Sequence, residues 1–231
     1  MKGKTVLLTG GTGGLGLGVT PKLVAQGASL TIPYRNTADV DRLKQHLSAE
    51  DFSKIQFVLL DLLDEAAVRQ LIEDMGRVDV LIHLVGGFSM GATHEYDYED
   101  WRQDLDLNLN TTFLACKYSL AKMRQQGYGR IVTVGSRGAV EPGPQLAAYC
   151  AAKAAVVALT QSIAAETRHT GITANCVLPS VIDTPSNRQA MGEEEAGTWV
   201  KPSSLADVIC FLASEAAQDI RGAAIPVYGD I

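Results

Sequence analysis

A doubly wound α/β fold, a Rossmann-type three-layer sandwich around a seven-stranded parallel sheet, is what this sequence predicts, on three observations. Short apolar runs alternate with helix-compatible stretches along the whole chain, the signature of βαβ units. Several of those runs are apolar at nearly every position, as strands covered by helices on both faces must be. The first run also leads directly into Thr9–Gly16, a segment of five glycines, two threonines and one leucine. Glycine loses much backbone entropy on ordering, so five together need a reason.

Taken in order, Thr5–Leu8 reads as the first strand and Leu15–Gln26 as the helix behind the glycine segment. Pro21 falls inside that helix, removes a backbone donor, and predicts either a bend or a late start. Ser29–Pro33 is the second strand and Ala38–Leu47 the second helix; Ile55–Leu59 and Glu65–Asp74 repeat the unit. Val80–Val85 is the fourth strand, and Tyr98–Gln125 reads as one long helix. The strand Arg130–Val134 leads to the small-residue helix Ala147–His169. Thr173–Val177, a helix over Ser203–Ala213 and the strand Ala224–Val227 complete the pattern. No linker-like run interrupts residues 1–231, so one domain is expected.

The chain is 46% apolar and 20% charged, which is globular composition, and its net charge of −6 lacks the basic excess of a nucleic-acid binder. Cys116, Cys150, Cys176 and Cys210 lie far apart in apolar surroundings and read as buried free thiols. The first strand comes too early for a signal peptide and no apolar run reaches a membrane span, so a cytoplasmic protein without a membrane segment is expected.

The strand–loop–helix setting explains the glycines. Gly11, Gly13 and Gly16 form G-x-G-x-x-G, and Thr9, Gly10, Gly14 and Gly16 form T-G-x-x-x-G-x-G. Either pattern lets backbone approach a dinucleotide pyrophosphate at the positive end of a helix. No Gly-Lys-Ser/Thr follows, which argues against a nucleoside-triphosphate loop. The second strand ends in Tyr34-Arg35-Asn36, without the acid that would hold the ribose of NAD. Arg35 can instead fork onto a 2′-phosphate, so NADP is favoured and NAD remains possible; Asp39 and Asp41 are its competing partners. Asp61-Leu62 and Gly86-Gly87 end the third and fourth strands at the same edge, with Asp61 placed to accept from the adenine amino group. Thr12, Leu15, Leu62 and Gly86 complete this part of the expected cofactor set.

Tyr149 and Lys153, at i and i+4, share a helix face, and a nearby ammonium favours the phenolate. Ser136 closes the fifth strand 13 residues before Tyr149, where its hydroxyl can hold a substrate carbonyl. Asn108 lies within the long helix, as a packing or bending feature or as a holder of water near the lysine.

With these residues the chain resembles the short-chain dehydrogenase/reductase family, 3-oxoacyl-carrier-protein reductase-like members included, over essentially its whole length. The resemblance rests on Thr9-Gly10-x-x-x-Gly14-x-Gly16, Asp61, Asn108, Ser136, Tyr149-x-x-x-Lys153 and Pro179 through Thr184. It implies a catalytic tetrad: Ser136 polarises the carbonyl, Tyr149 is the acid/base, Lys153 binds the nicotinamide ribose and lowers the Tyr149 pKa, and Asn108 holds a relay water. It also implies that the Ile182 backbone meets the carboxamide and that Thr184 meets the pyrophosphate or carboxamide. NADP-dependent carbonyl reduction follows as the expectation. NAD-linked alcohol oxidation and a non-catalytic dinucleotide-binding regulator are the alternatives.

Three features depart from the family pattern. His83 stands where an asparagine braces the sheet, as a substitute brace or as a satisfied core histidine; Ser180 replaces a glycine; and the C-terminal Asp-Gly-Gly reads Tyr228-Gly229-Asp230. The substrate side is expected in a polar, mobile flap over Pro185–Thr198, with Gly91, Thr93, His94 and Tyr96 on the other rim. Arg188 is a candidate either for an anionic substrate or for pairing with Glu193–Glu195. The expected substrate is a small-molecule carbonyl or alcohol, a 3-oxoacyl thioester or a small aldehyde or ketone. Ala151, Ala154, Ala155, Ala158 and Ser162 form a close-packing face that predicts a homotetramer, or else a homodimer.

Overall fold

The computed structural model describes residues 1–230; Ile231, the end of the expected domain, lies outside them. Seven parallel strands form one sheet in the order β3-β2-β1-β4-β5-β6-β7. They are β1 (Thr5–Thr9), β2 (Ser29–Tyr34), β3 (Ile55–Leu59), β4 (Val80–His83), β5 (Tyr128–Val134), β6 (Gly171–Pro179) and β7 (Ala224–Val227). Nine α-helices occur among the described residues: α1 (Gly16–Ala25), α2 (Thr37–Lys44), α3 (Ala49–Ser53), α4 (Glu65–Asp74), α5 (Tyr98–Leu105), α6 (Thr111–Gln126), α7 (Ala147–Glu166), α8 (Pro185–Met191) and α9 (Pro202–Leu212).

The period-2 alternation of strand side chains splits the core into two layers. Val6, Leu8, Ile32, Val80, Ile82 and Val132 pack with Leu23 of α1 and Leu205 and Ile209 of α9. Leu7, Leu81, Ile131 and Ile172 face the other way, onto Leu71 and Ile72 of α4, Met123 of α6 and Ile163 of α7. With both faces covered, neither set can be polar, which is why the strands read as continuous apolar runs. The strand order reverses between β1 and β4, and the crevice beyond their carboxyl ends is where ligands of such sheets bind.

Several local expectations need correction. The single helix over Tyr98–Gln125 is interrupted by a π turn, Asp106–Asn110, between α5 and α6. α7 stops at Glu166, short of His169, whose φ of 63° is not helical. Pro21 lies within α1, which begins ahead of it at Gly16, so there is no late start. The short helix α3, capped by the Ser48 hydroxyl, had no counterpart in the sequence reading. By length and composition α7 could cross a membrane, contrary to the expectation that no such run exists; here it packs against β5 and β6 and carries the buried Lys153. All four cysteines are free and buried, as expected.

Candidate active site

The glycine segment runs from β1 into α1 over the switch point. Gly10 has φ 72°, and a Cβ there would lie 2.9 Å from the Val85 nitrogen, so both conformation and space require glycine. A Cβ on Gly14 would fall 2.9 Å from the Thr184 side chain, which shows that the β6–α8 turn closes over the loop. Thr12, Leu15 and Gly16 are buried within it, and the Thr20 hydroxyl of α1 donates to the Gly11 carbonyl at 2.8 Å.

At the far end of the crevice Arg35 is exposed after β2. Neither of its expected competitors holds it: Asp39 pairs with Arg42 at 3.0 Å, and Arg35 has no carboxylate within salt-bridge distance among the described residues. Arg42, which the sequence reading passed over, also donates from Nη2 to the Thr12 carbonyl at 3.0 Å. It thereby ties α2 to the glycine loop. Its sequence position on a polar helix carried no signal of that contact. Asp61 is exposed after β3 and accepts from the Leu63 N–H at 3.0 Å, with Leu62 buried beside it.

Nearer the middle of the sheet, four side chains from separate elements come together. The π turn carries Asn108, fully buried; its Oδ1 accepts from the Gly87 N–H at 3.1 Å and its Nδ2 donates to the Asp104 carbonyl at 3.1 Å. α7 carries Tyr149 and Lys153, and the Lys153 ammonium donates to the Val134 carbonyl at 3.1 Å. A Cβ on Gly86 would lie 2.8 Å from both Asn108 Oδ1 and Lys153 Nζ, so only glycine lets the loop backbone approach those two groups so closely. Ser136, after β5, accepts from the Gly138 N–H at 3.1 Å and stands near enough to the Tyr149 phenol to draw its pKa down. The Asn108 amide thus sits in the π turn as a polar group beside the lysine.

Electrostatics correct one expectation. Burial pushes the Tyr149 phenol above its ordinary value, and the opposing influence comes from the Ser136 hydroxyl rather than from Lys153. Lys153 Nζ stands 5.9 Å from the Tyr149 ring centre. Burial lowers Lys153 itself to about 8. Desolvation disfavours a charge on either group, and the two shifts have the same cause.

His83 ends β4 beneath this cluster. Its Nδ1 lies 2.7 Å from the Thr9 hydroxyl and its Nε2 lies 3.4 Å from the Thr111 hydroxyl at the start of α6. The Thr111 hydroxyl already donates to the Leu107 carbonyl, so the neutral ring donates from Nε2 and accepts at Nδ1. Burial, helped by the Lys153 charge, lowers its pKa to about 3. It is a satisfied core histidine and a brace between β1 and the start of α6. Ser180 donates to the Tyr228 carbonyl at 2.5 Å, linking the ends of β6 and β7.

The rims differ from expectation. The Pro185–Thr198 region, expected as a polar flap, begins as helix α8, capped by the Thr184 hydroxyl. Arg188 forks onto Asp183 at 2.6 and 2.9 Å, and Glu193 lies 3.8 Å away. Opposite, Tyr96 OH and Ser89 Oγ donate to the Asp104 carboxylate, and Gly91 is packed under the Tyr96 ring. Thr93 and Tyr96 line a hollow of about 160 Å³ with Trp101 and Ala147, and exposed His94 lies near Glu95. The residue that reaches Tyr149 from this rim is Phe88, which the sequence reading missed; the ring centres are 5.1 Å apart at 73°. An aromatic residue just past Gly86-Gly87 was the available signal.

Comparison with known proteins agrees with this arrangement. A family model described as short chain dehydrogenase matches residues 4–195. The chain is 30% identical to a D-beta-hydroxybutyrate dehydrogenase of Cupriavidus necator, over 96% of this chain and 95% of that one. It is also 30% identical to a 3-oxoacyl-[acyl-carrier-protein] reductase of Rickettsia conorii, over 99% and 97% of the two chains. Among solved structures, that of ElxO with NADP bound superposes with a TM-score of 0.91 at 27% identity, covering 99% of this chain and 98% of the other. A switch-point glycine loop, a serine, tyrosine and lysine gathered beside it, and matches of this extent lead to one conclusion: the chain belongs to the short-chain dehydrogenase/reductase family and is an NAD(P)-dependent oxidoreductase.

Proposed function

We propose that this enzyme uses NADP to interconvert a carbonyl compound and its alcohol, with Tyr149 as the acid/base. The observation that carries the reading is the convergence of Ser136, Tyr149, Lys153 and Asn108 beside Gly86. The crevice fits a dinucleotide. Gly10, Gly14 and Gly86 keep side chains out of the crevice wall, so that backbone can approach a pyrophosphate closely, and buried Lys153 uses one of its three donors on protein. Gly10, Thr12, Gly14, Leu15 and Gly16 would surround the pyrophosphate with Thr184, Lys153 would hold the nicotinamide ribose, and the Ile182 backbone would meet the carboxamide. Arg35, free of carboxylates, would take the 2′-phosphate, Asp61 and Leu62 the adenine. The NADP-bound ElxO structure supports the same choice of cofactor.

When bound, the nicotinamide supplies or accepts the hydride. The chain's own groups manage the proton. Ser136 donates to the carbonyl oxygen and holds it against Tyr149. The phenol, protonated because burial raises its pKa, gives its proton to that oxygen as negative charge develops. The Ser136 hydroxyl favours the resulting phenolate, Lys153 would hold the nicotinamide ribose beside it, and Asn108 Oδ1 next to the Lys153 ammonium marks the route by which the proton is replaced. In oxidation the same groups run in reverse.

Two measurements test this. Titration with NADPH and NADH is expected to show tighter NADPH binding; tighter NADH binding would refute the cofactor choice. Tyr149→Phe is expected to lose about a hundredfold or more in turnover with NADPH binding retained. Equal turnover would remove Tyr149 from its role. Firm cofactor binding with no turnover across a broad carbonyl panel would favour the non-catalytic alternative.

Assembly as a homotetramer, or a homodimer, is supported by the exposed stripe Ala151, Ala154, Ala158, Ser162 and Ala165 on α7 and by exposed Phe113 on α6. A stable, fully active 24.6 kDa species across a light-scattering dilution series would refute it. Four free thiols fit the reducing cytoplasm, where we place the protein.

A further inference from the structure

We propose that the substrate is a neutral, apolar carbonyl compound or its alcohol, and that Phe88 sets this preference; the proposal rests on the oxidoreductase reading above. The mouth of the site is formed by the three loops that follow β4, β5 and β6. Nine large hydrophobic side chains are substantially exposed among the described residues, and four of them, Phe88, Met90, Val140 and Met191, lie on or just beyond these loops. Phe88 is 59% exposed although its ring stands edge-to-face on the Tyr149 ring, the group that meets the reacting oxygen. The loop of Val140 reaches the same place, since a Cβ on Gly138 would lie 3.7 Å from Tyr149. Apolar surface left open at a reacting centre gains free energy only when an apolar ligand covers it.

The Phe88 loop is held rather than loose. Ser89 and Tyr96 donate to the buried Asp104 carboxylate, and the Gly91 N–H donates to the Gln145 carbonyl at 2.8 Å. Phe88 and Met90 are thus presented by anchored backbone.

Charge points the same way. Residues 84–97, 135–146 and 180–200 contain seven acidic side chains, two arginines and no lysine. Both arginines are occupied: Arg137 pairs with Glu141 at 2.7 Å and lies over the Tyr228 ring, and Arg188 is forked onto Asp183. Of the lysines beyond these segments, Lys153 is buried and donates to the Val134 carbonyl, and Lys201 lies within electrostatic reach of Asp183. An anionic substrate would meet no free guanidinium here and a negative field, which lowers both its encounter rate and its affinity.

The test uses the full chain with NADPH and three ketones of one skeleton: acetophenone, para-acetylbenzoate and para-trimethylammonio-acetophenone. Acetophenone is expected to have kcat/KM at least about tenfold above para-acetylbenzoate at low salt, a gap that narrows with added salt. Phe88→Ala is expected to raise KM for acetophenone about tenfold with a smaller change in kcat, and Phe88→Leu to recover part of it. Preference for either charged ketone, or an unchanged KM in Phe88→Ala, would overturn the proposal. Binding to the Tyr149→Phe–NADPH complex, read by NADPH fluorescence, separates this from the underlying reading. Selective binding of acetophenone without turnover by the wild type would refute the reaction but support the substrate class; equal binding of all three would refute the class.

Discussion

Lys153→Met is expected to stabilise the protein at neutral pH while abolishing most of its activity. The ammonium of Lys153 is buried, and burial lowers its pKa from 10.5 to about 8. That gap corresponds to ~3 kcal/mol of unfavourable free energy for holding the charge in the folded state. Methionine keeps the unbranched apolar stem and removes the charge, but forfeits the hydrogen bond to the Val134 carbonyl, worth about 1 kcal/mol. The net gain of about 2 kcal/mol translates to roughly 4–8 °C in Tm for a chain of this length. The sign also fixes a pH signature. A lysine with a depressed folded pKa destabilises fully below that pKa, and the penalty disappears as pH rises from about 8 to 10.5, where the unfolded chain loses the same proton. The variant's advantage should therefore shrink across that window and reverse, to about 1 kcal/mol in favour of the wild type once only the lost Val134 hydrogen bond remains, as thermal melts of both cofactor-free proteins would show. Turnover should meanwhile fall by about a hundredfold or more. A variant less stable than the wild type at neutral pH, or a difference in Tm independent of pH, would refute the reasoning.

His83 has the corresponding acid-side signature. Its folded pKa of about 3 against 6.5 means that wild-type stability falls as pH drops below 6.5, by ~3 kcal/mol at about pH 4. His83→Asn should flatten that slope in pH-dependent denaturant titrations, and an unchanged slope would place the acid sensitivity elsewhere. Arg35→Glu should weaken NADPH binding roughly 10- to 100-fold and improve NADH binding, read by fluorescence titration at fixed ionic strength. Gly14→Val should displace Thr184, because its Cβ would lie 2.9 Å from that side chain. Cofactor affinity should drop about tenfold, with about 1 kcal/mol of stability lost through the disturbed α8 cap, measured by titration and melting.

The strand pattern, the glycine loop and the spacing of Ser136, Tyr149 and Lys153 were legible in the sequence because each is a local regularity. Alternating apolar runs report burial directly, a glycine cluster behind a strand reports a close backbone approach, and i,i+4 spacing reports a shared helix face. The π turn at Asp106–Asn110 was not legible, since a single widened turn leaves the helical periodicity almost unchanged. The electrostatics of Tyr149 were misjudged for a related reason. Spacing places Lys153 on the same face, but only the packed structure decides that burial outweighs its charge. Likewise, which acid holds Arg188, whether Arg35 is free, and whether Phe88 or a neighbour reaches the phenol depend on contacts between segments far apart in the chain. Local sequence determined which groups this protein possesses; tertiary packing decided which of them are dry, paired or left facing the substrate, because desolvation and charge pairing are set by neighbours in space.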